Sequence, residues 1–410
     1  MDNPAPTAPP KVIPNAPLLD PLPREVVPSF HICRRRSPLD EQRTDDYGLS
    51  TIPTAVEVAA PDLPYRPQDP RAYNPAIGLI GCGKITEYHL AAYRRAGYRV
   101  VALCDLVEAR ARDRQAQYYP EAHVYTDYHD LLRRDDIEVV DIATHPADRE
   151  PILEDALLAR KHVLSQKPFV LDLDLGRHLA DLADRQGVML AVNQNGRWAP
   201  HFAYLRQLVG HNILGSLTSA ALTVNWDHTW VVGTPFDDIH DLILYDFAIH
   251  WFDIVSCFFG DARPLRVFAS TARAAGQRAR PALLAQVLIE YPAAQATLSF
   301  DATVIHGQQD RTALSGTLGS AVSSGPSLSE QRVDLYTAAG HASPHLEGTW
   351  FREGFHATMG ELLRAIEDGR QPITNARNNL RSLEIAFAAI ASAHEGIPKV
   401  PGTVLHLPTL

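Results

Sequence analysis

At 410 residues the chain is too long for one ordinary domain and suits two plus an extension. Its composition, 45% hydrophobic and 21% charged, is that of a soluble globular protein, and no run approaches the eighteen apolar residues of a membrane span. A net charge of −10 without an offsetting basic tract argues against nucleic acid or anionic lipid as a partner. Cys33, Cys82, Cys104 and Cys257 share no CxxC spacing, so neither a zinc site nor a disulfide framework is expected. Scattered, reduced thiols and the lack of a basic stretch leading into an apolar core at the N-terminus point to the cytoplasm.

Residues 1–75 hold about half of the 31 prolines, which fix φ and remove backbone donors, so this segment builds no sheet or long helix of its own. Leu18, Leu19, Val26, Val27, Phe30 and Ile32 are more apolar anchors than a solvated linker needs, and an arm along a neighbouring subunit is the alternative to a disordered tail. From Ala76 short apolar runs alternate with helical periods. Strands are expected at 77–80, 99–104, 139–143, 162–165 and 188–192, with helices between them. That alternation predicts a doubly wound parallel sheet over 76–194. After Asn195 the alternation stops, and strands at 218–226, 265–270, 284–291 and 296–301 follow without intervening helices. One long helix, 241–259, and two closing helices, 353–367 and 380–394, complete an α+β domain over 195–410 with an open, mostly antiparallel sheet.

Gly78-Leu79-Ile80-Gly81-Cys82-Gly83-Lys84-Ile85-Thr86 joins the first strand to the first helix. Glycines there permit a tight turn and let a pyrophosphate approach the amides of the helix N-terminus. Gly81 and Gly83 fill the first two positions of the dinucleotide fingerprint, and Thr86 stands at the third. Asp105 closes the second strand at the spacing of a ribose-binding carboxylate, and Leu106 beside it offers nothing to a 2′-phosphate, so NAD is favoured over NADP. Gln166-Lys167-Pro168 leaves the carboxyl end of a strand, where ligands of open α/β sheets bind. Within the apolar stretch 241–259, Asp246, His250 and Asp253 recur at i, i+4 and i+7, a thin polar stripe that calls for a polar pocket. Asn225, Trp226, Asp227, His228 and Trp230 precede it and are candidates for substrate hydroxyls and a stacking surface. A metal site built from His228, His240, Asp241 and His250 has no tight ligand spacing behind it, and no metal is expected.

The glycine turn, Ile142-Ala143-Thr144, Lys161 to Pro168, Asn193-Gln194-Asn195-Gly196-Arg197-Trp198 and Asp246-xxx-His250 occur in the order seen in the Gfo/Idh/MocA oxidoreductases, which the chain resembles from about Ala76 to Ile397. The resemblance implies a Rossmann domain joined to an open sheet used for substrate and oligomerisation. It implies cofactor contacts from Gly81, Gly83, Lys84, Ile85, Asp105, Thr144, His145, Lys167, Gln194 and Arg197. Lys167, Asp246 and His250 take the catalytic positions, and with Asn225, Trp226 and Asp227 they face the substrate. The chain departs from the family pattern at Gln166 for a glutamate, at His145 for a proline and at Arg149 for a histidine. A proline-rich arm embraces a neighbouring subunit in glucose-fructose oxidoreductases, and a homodimer or homotetramer is expected here.

The expected reaction is hydride transfer between NAD and a secondary hydroxyl of a sugar, polyol or glycoside. His250 would act as the base, oriented by Asp246, with Lys167 donating to the substrate oxygen and activity rising through a near-neutral titration. The alternatives are a sugar-modifying enzyme that uses NAD transiently to drive elimination or hydrolysis, and a non-catalytic dinucleotide or sugar sensor.

Overall fold

The computed structural model describes residues 55–409. The expected arm anchors between Leu18 and Ile32 lie outside them. The first half runs β1 (Ala76–Ile80), α1 (Thr86–Ala96), β2 (Arg99–Cys104), α2 (Glu108–Tyr118), β3 (His123–Tyr125), α3 (Tyr128–Leu132), β4 (Ile137–Ile142), α4 (Pro146–Leu158), β5 (His162–Ser165), α5 (Leu173–Gln186) and β6 (Leu190–Val192). Its six strands are parallel in the order β3-β2-β1-β4-β5-β6. Helices cover both faces of such a sheet, which is why β1 is buried at every residue and reads as an unbroken apolar run. The order reverses between β1 and β4, and a crevice opens there at the carboxyl ends of the strands.

The second half runs α6 (Pro200–Gly210), β7 (Leu217–Asn225), α7 (Ile249–Phe259), β8 (Arg266–Ala272), β9 (Leu284–Tyr291), β10 (Ala294–Asp301), β11 (Gln309–Gly316), β12 (Gly319–Ser327), β13 (Glu330–Thr337), β14 (Gly340–Ala342), α8 (Trp350–Asp368) and α9 (Ala376–Glu395). Its sheet has the order β14-β13-β12-β11-β7-β10-β9-β8, antiparallel except where β10 lies parallel to β7. Along β7, β8 and β9 burial alternates residue by residue, so one face packs on the helices and the other does not. Phe268 and Leu288 pair on that uncovered face and are 42% and 38% exposed.

Three features differ from the sequence reading. β3 with α3, and the run β11 to β14, were not expected, because their strands are short or rich in Ser, Gly and charge. The expected single helix over 241–259 is broken: Ile243–Phe247 form a π-helical turn, and α7 begins only at Ile249. Residues 57–73, the inner end of the expected arm, lie on their own chain: Val58 N–H donates to His341 O, Tyr204 donates to Pro61 O, and Glu367 accepts from the amides of Arg71, Ala72 and Tyr73.

Arg197, in a 3₁₀ turn after β6, forms a two-pronged pair with Asp253 of α7, with both N···O distances 2.6 Å. Its remaining donors reach Ile373 O at 2.5 Å and Asn378 Oδ1 at 2.7 Å, and Ser382 donates to the same carboxylate. The side chains are 2% and 1% exposed. The guanidinium of Arg197 is thus engaged by protein groups, and Asp253 pairs with it, apart from the Lys167–Asp246 pair. Removing one member of a buried pair strands the other charge, whereas replacing both with apolar groups does not. Asp253→Ala should lose about 3–5 kcal/mol in urea unfolding, and the double variant Arg197→Met with Asp253→Leu should regain most of it. A loss below about 1 kcal/mol in the single variant would deny the pair its structural role.

Candidate active site

The glycine turn is shaped by its neighbours. Gly81 has φ +89°, and a Cβ there would stand 3.0 Å from the carbonyl carbon of Ala143 and the amide nitrogen of Thr144. Only glycine takes that conformation at no steric cost while packed against the end of β4. A Cβ on Gly83 would meet nothing within 4 Å, so open space lies before the start of α1. Thr86, in the third fingerprint position, donates to Gly83 O at 2.6 Å and closes the turn. Asp105 accepts from Cys82 N–H and Val107 N–H, both at 2.8 Å, which ties the turn to the end of β2. Arg110 of α2 comes within 3.9 Å of Asp105, a neighbour that one helical turn supplies and the Asp105-Leu106 dipeptide does not reveal. Lys84 is exposed, Ile85 is half-buried, and His145 caps α4 by accepting from Ala147 N–H.

Thr144 Oγ1, Asn193 Oδ1 and both amide atoms of Gln194 are buried at the ends of β4 and β6 and find no hydrogen-bond partner among the described residues. Buried polar atoms are normally paired, so this row awaits a polar ligand. Together with the turn and its acid, these residues fit a dinucleotide.

Lys167 follows β5, and its Nζ donates to Asp246 Oδ1 at 3.2 Å and to Asp246 O at 2.9 Å. The pair joins the two halves of the molecule, with the side chains 18% and 17% exposed. Asp246 sits in the π-helical turn, whose wider backbone offers a carbonyl as well as a carboxylate to Lys167. The expectation that Asp246 orients the His250 imidazole is not met: His250 Nδ1 is buried without a partner. The ring lies edge-on to Trp350, 5.2 Å between centroids, and Trp350 is fixed by Asn195 Oδ1 at 2.9 Å. Burial, then the charge of Lys167, holds the His250 pKa well below the ordinary imidazole value, so the ring is neutral at neutral pH.

In the window before the helix, Asp227 Oδ1 accepts from the amide and hydroxyl of Thr229, a local turn. His228 stands nearer the chemistry. It stacks on Trp226 and leans at a tilt on Phe247, its Nδ1 has no partner among the described residues, and burial pulls its pKa to about 4 against the charges of Asp227 and Asp246. Trp226 is half-buried against Trp251, and Asn225 ends β7.

Arg149 is the residue whose importance the sequence least disclosed. It is 1% exposed, and no carboxylate pairs with it among the described residues. Its guanidinium donates to Thr144 O, Gln166 O and Pro168 O, the last at 2.5 Å. It thus holds the peptides on both sides of Lys167 and the end of β4. Burial draws its pKa down to about 10, a measure of what this arrangement costs. Gln166 adds a second brace, accepting from Lys167 N–H at 2.7 Å while its amide meets His89, which is paired in turn with Asp141.

Residues 76–194 match the model of an oxidoreductase family with an NAD-binding Rossmann fold, and residues 202–322 match the C-terminal domain of Gfo/Idh/MocA proteins. The chain belongs to the Gfo/Idh/MocA oxidoreductases. D-apiose dehydrogenase of Paraburkholderia graminis is 29% identical over 338 residues, 78% of this chain and 87% of that protein. Inositol 2-dehydrogenase of Rhizobium meliloti is 25% identical over 332 residues, 78% of this chain and 97% of its own length. An Agrobacterium radiobacter oxidoreductase, solved with NAD+, L-tartaric acid and magnesium, shares the fold with a TM-score of 0.72 at 19% identity, over 81% of this chain and all of that one. As a member of this family the chain is an NAD-binding oxidoreductase.

In this Gfo/Idh/MocA chain, Arg149→Met should leave the strand ends without their brace and lower kcat/KM on the order of 10²-fold, since a misplaced group costs about that much. Arg149→Lys should recover part of the loss. A folded Arg149→Met enzyme with wild-type kcat/KM would show that the brace does not position Lys167.

Proposed function

We propose that the protein oxidises a secondary hydroxyl of a sugar, polyol or glycoside, with Lys167, Asp246 and His250 as its reacting groups. The observation that carries this reading is the Lys167–Asp246 pair, which sets a cation and a neutral histidine at the mouth of a dinucleotide crevice. Bound NAD would supply the hydride acceptor, and Gly81, Gly83, Lys84, Ile85, Asp105, Thr144, His145 and Gln194 would hold it. Residues 76–194 serve the cofactor, and residues 195–410 serve the substrate and assembly.

His250, neutral, takes the hydroxyl proton at Nε2, the ring nitrogen that is not buried. Lys167 donates to the substrate oxygen as alkoxide character develops, and Asp246 keeps the ammonium in place. An imidazolium beside Lys167 is unfavourable, so the half-buried ring gives the proton up to solvent water and returns to its neutral form. His228 and Trp226 line the approach from β7 and supply a polar edge and a stacking face. The protein is placed in the cytoplasm on its scattered thiols, and no described helix is long and apolar enough to cross a membrane.

A screen of monosaccharides, polyols and glycosides with NAD, read as NADH absorbance, tests the reading. A transient oxidant gives product without net NADH. With the active substrate, His250→Ala should lower kcat about 10²–10⁴-fold with little change in NAD affinity. Because the His250 pKa is depressed, the working, neutral form persists from neutral pH well into acid. The rate should therefore be flat near neutrality and fall only below the ordinary imidazole range, which replaces the near-neutral limb expected from sequence. Full turnover by a folded, NAD-binding His250→Ala enzyme would remove the base assignment.

Phe268 and Leu288 on the uncovered sheet face support a homodimer or homotetramer through that face, because contiguous exposed apolar surface calls for cover. Light scattering should give a multiple of the 45.2 kDa chain, reduced by Phe268→Lys with Leu288→Lys. A monomeric wild-type protein would contradict it.

A further inference from the structure

Away from the crevice, three ligand-type side chains converge where the lead into the π-helical turn meets the end of α9. His394 Nε2 lies 2.9 and 3.1 Å from the two oxygens of Asp241, and His240 Nδ1 lies 3.3 Å from Asp241 Oδ2. One donor atom from each residue falls within 4.8 Å of the others, and the two imidazoles stand 5.7 Å apart at 76°. The Asp241 side chain is only 9% exposed, yet among the described residues no lysine or arginine pairs with it. A nearly buried carboxylate thus has two imidazoles and no lysine or arginine beside it among the described residues, and a buried charge calls for a charged partner.

We propose that His240, Asp241 and His394 form a binding site for a divalent transition cation of the zinc class. Two imidazole nitrogens and one carboxylate oxygen suit Zn2+ or Co2+, whereas Mg2+ and Ca2+ prefer all-oxygen sets. Metal–ligand bonds of about 2.0–2.2 Å need donor atoms only slightly farther apart than the contacts here. A hollow lined by His240, Asp241, Thr271, Arg273 and Arg280 adjoins the cluster and leaves room for a water ligand. The two arginines do not oppose the ion at contact range. Arg273 donates to Arg280 O and Gln277 O, and Arg280 pairs with Asp238 and Asp237. Neither Lys167 nor His250 belongs to the cluster, so the ion acts as a strut. It pins the chain just ahead of Asp246 to α9. Adjacent residues on one loop and a third from a helix 153 positions later give no spacing motif, which is why the sequence predicts no metal.

The test uses the untagged full chain stripped with a chelator. CoCl2 titration should produce the visible d–d bands of a four- or five-coordinate ion, saturate at one equivalent, and reverse on adding ZnCl2. Zn2+ should raise Tm by a few degrees, as any ligand of the folded state does. Asp241→Asn and His394→Gln should abolish the bands. His240→Gln, at an exposed position that poses little risk to folding, should weaken binding at least tenfold. NADH production with an active substrate should be nearly unchanged in His240→Gln without added metal. No saturable cobalt signal in the wild type, or a wild-type titration in His240→Gln, would overturn the site.

Discussion

The arrangement of the candidate site depends on one ion pair that joins the two halves of the molecule. Lys167 leaves the fifth strand of the parallel sheet, and Asp246 stands in the π-helical turn of the second half. Both are partly open to the crevice, so this pair is more costly to leave unmatched than a surface pair and less rigid than a fully buried one. Its consequence is electrostatic as well as mechanical. The ammonium is held close enough to His250 to help keep the imidazole neutral, while the carboxylate prevents a bare cation from facing the crevice. An ammonium and a neutral imidazole are thus kept in one neighbourhood, which is what the proposed roles of Lys167 and His250 require.

Two buried arginines support that arrangement in opposite ways. Arg197 has a carboxylate and locks the start of α6, α7 and α9 together, so its charge is spent on architecture. Arg149 has only backbone carbonyls as hydrogen-bond partners among the described residues, with the charge of Asp141 acting on it from farther away. The first resembles a rivet, and its sequence position gave no hint of which partner it would take. The second couples Thr144 to both neighbours of Lys167, so a change on α4 reaches the reacting lysine through three carbonyl contacts.

The parallel half was legible because its strands are buried on both sides and stand out as apolar runs between helical periods. β11 to β14 were not, since Gln309–Gly316 and Gly319–Ser327 bury small or polar residues such as Asp310, Thr312 and Ser323. The i, i+4 spacing of Asp246 and His250 suggested a pair, whereas Asp246 is engaged by Lys167. A π-helical turn changes which side chains share a face, and no residue pattern marked it. Asp105, Gly81 and Gly83 were readable because the turn permits few residue types. Arg149, Arg197 and His228 were misjudged or passed over because their roles are fixed by partners far away in sequence.

The central claim is that Lys167 and burial together keep His250 neutral and ready to accept a proton. Histidine-selective isotope labelling with an NMR pH titration measures this directly, in the wild type and in Lys167→Met. The account predicts that the His250 resonance shows no charging near pH 6.5, titrates only well below it, and moves upward when the lysine charge is removed. An ordinary midpoint near 6.5 in the wild type, unmoved by Lys167→Met, would contradict it.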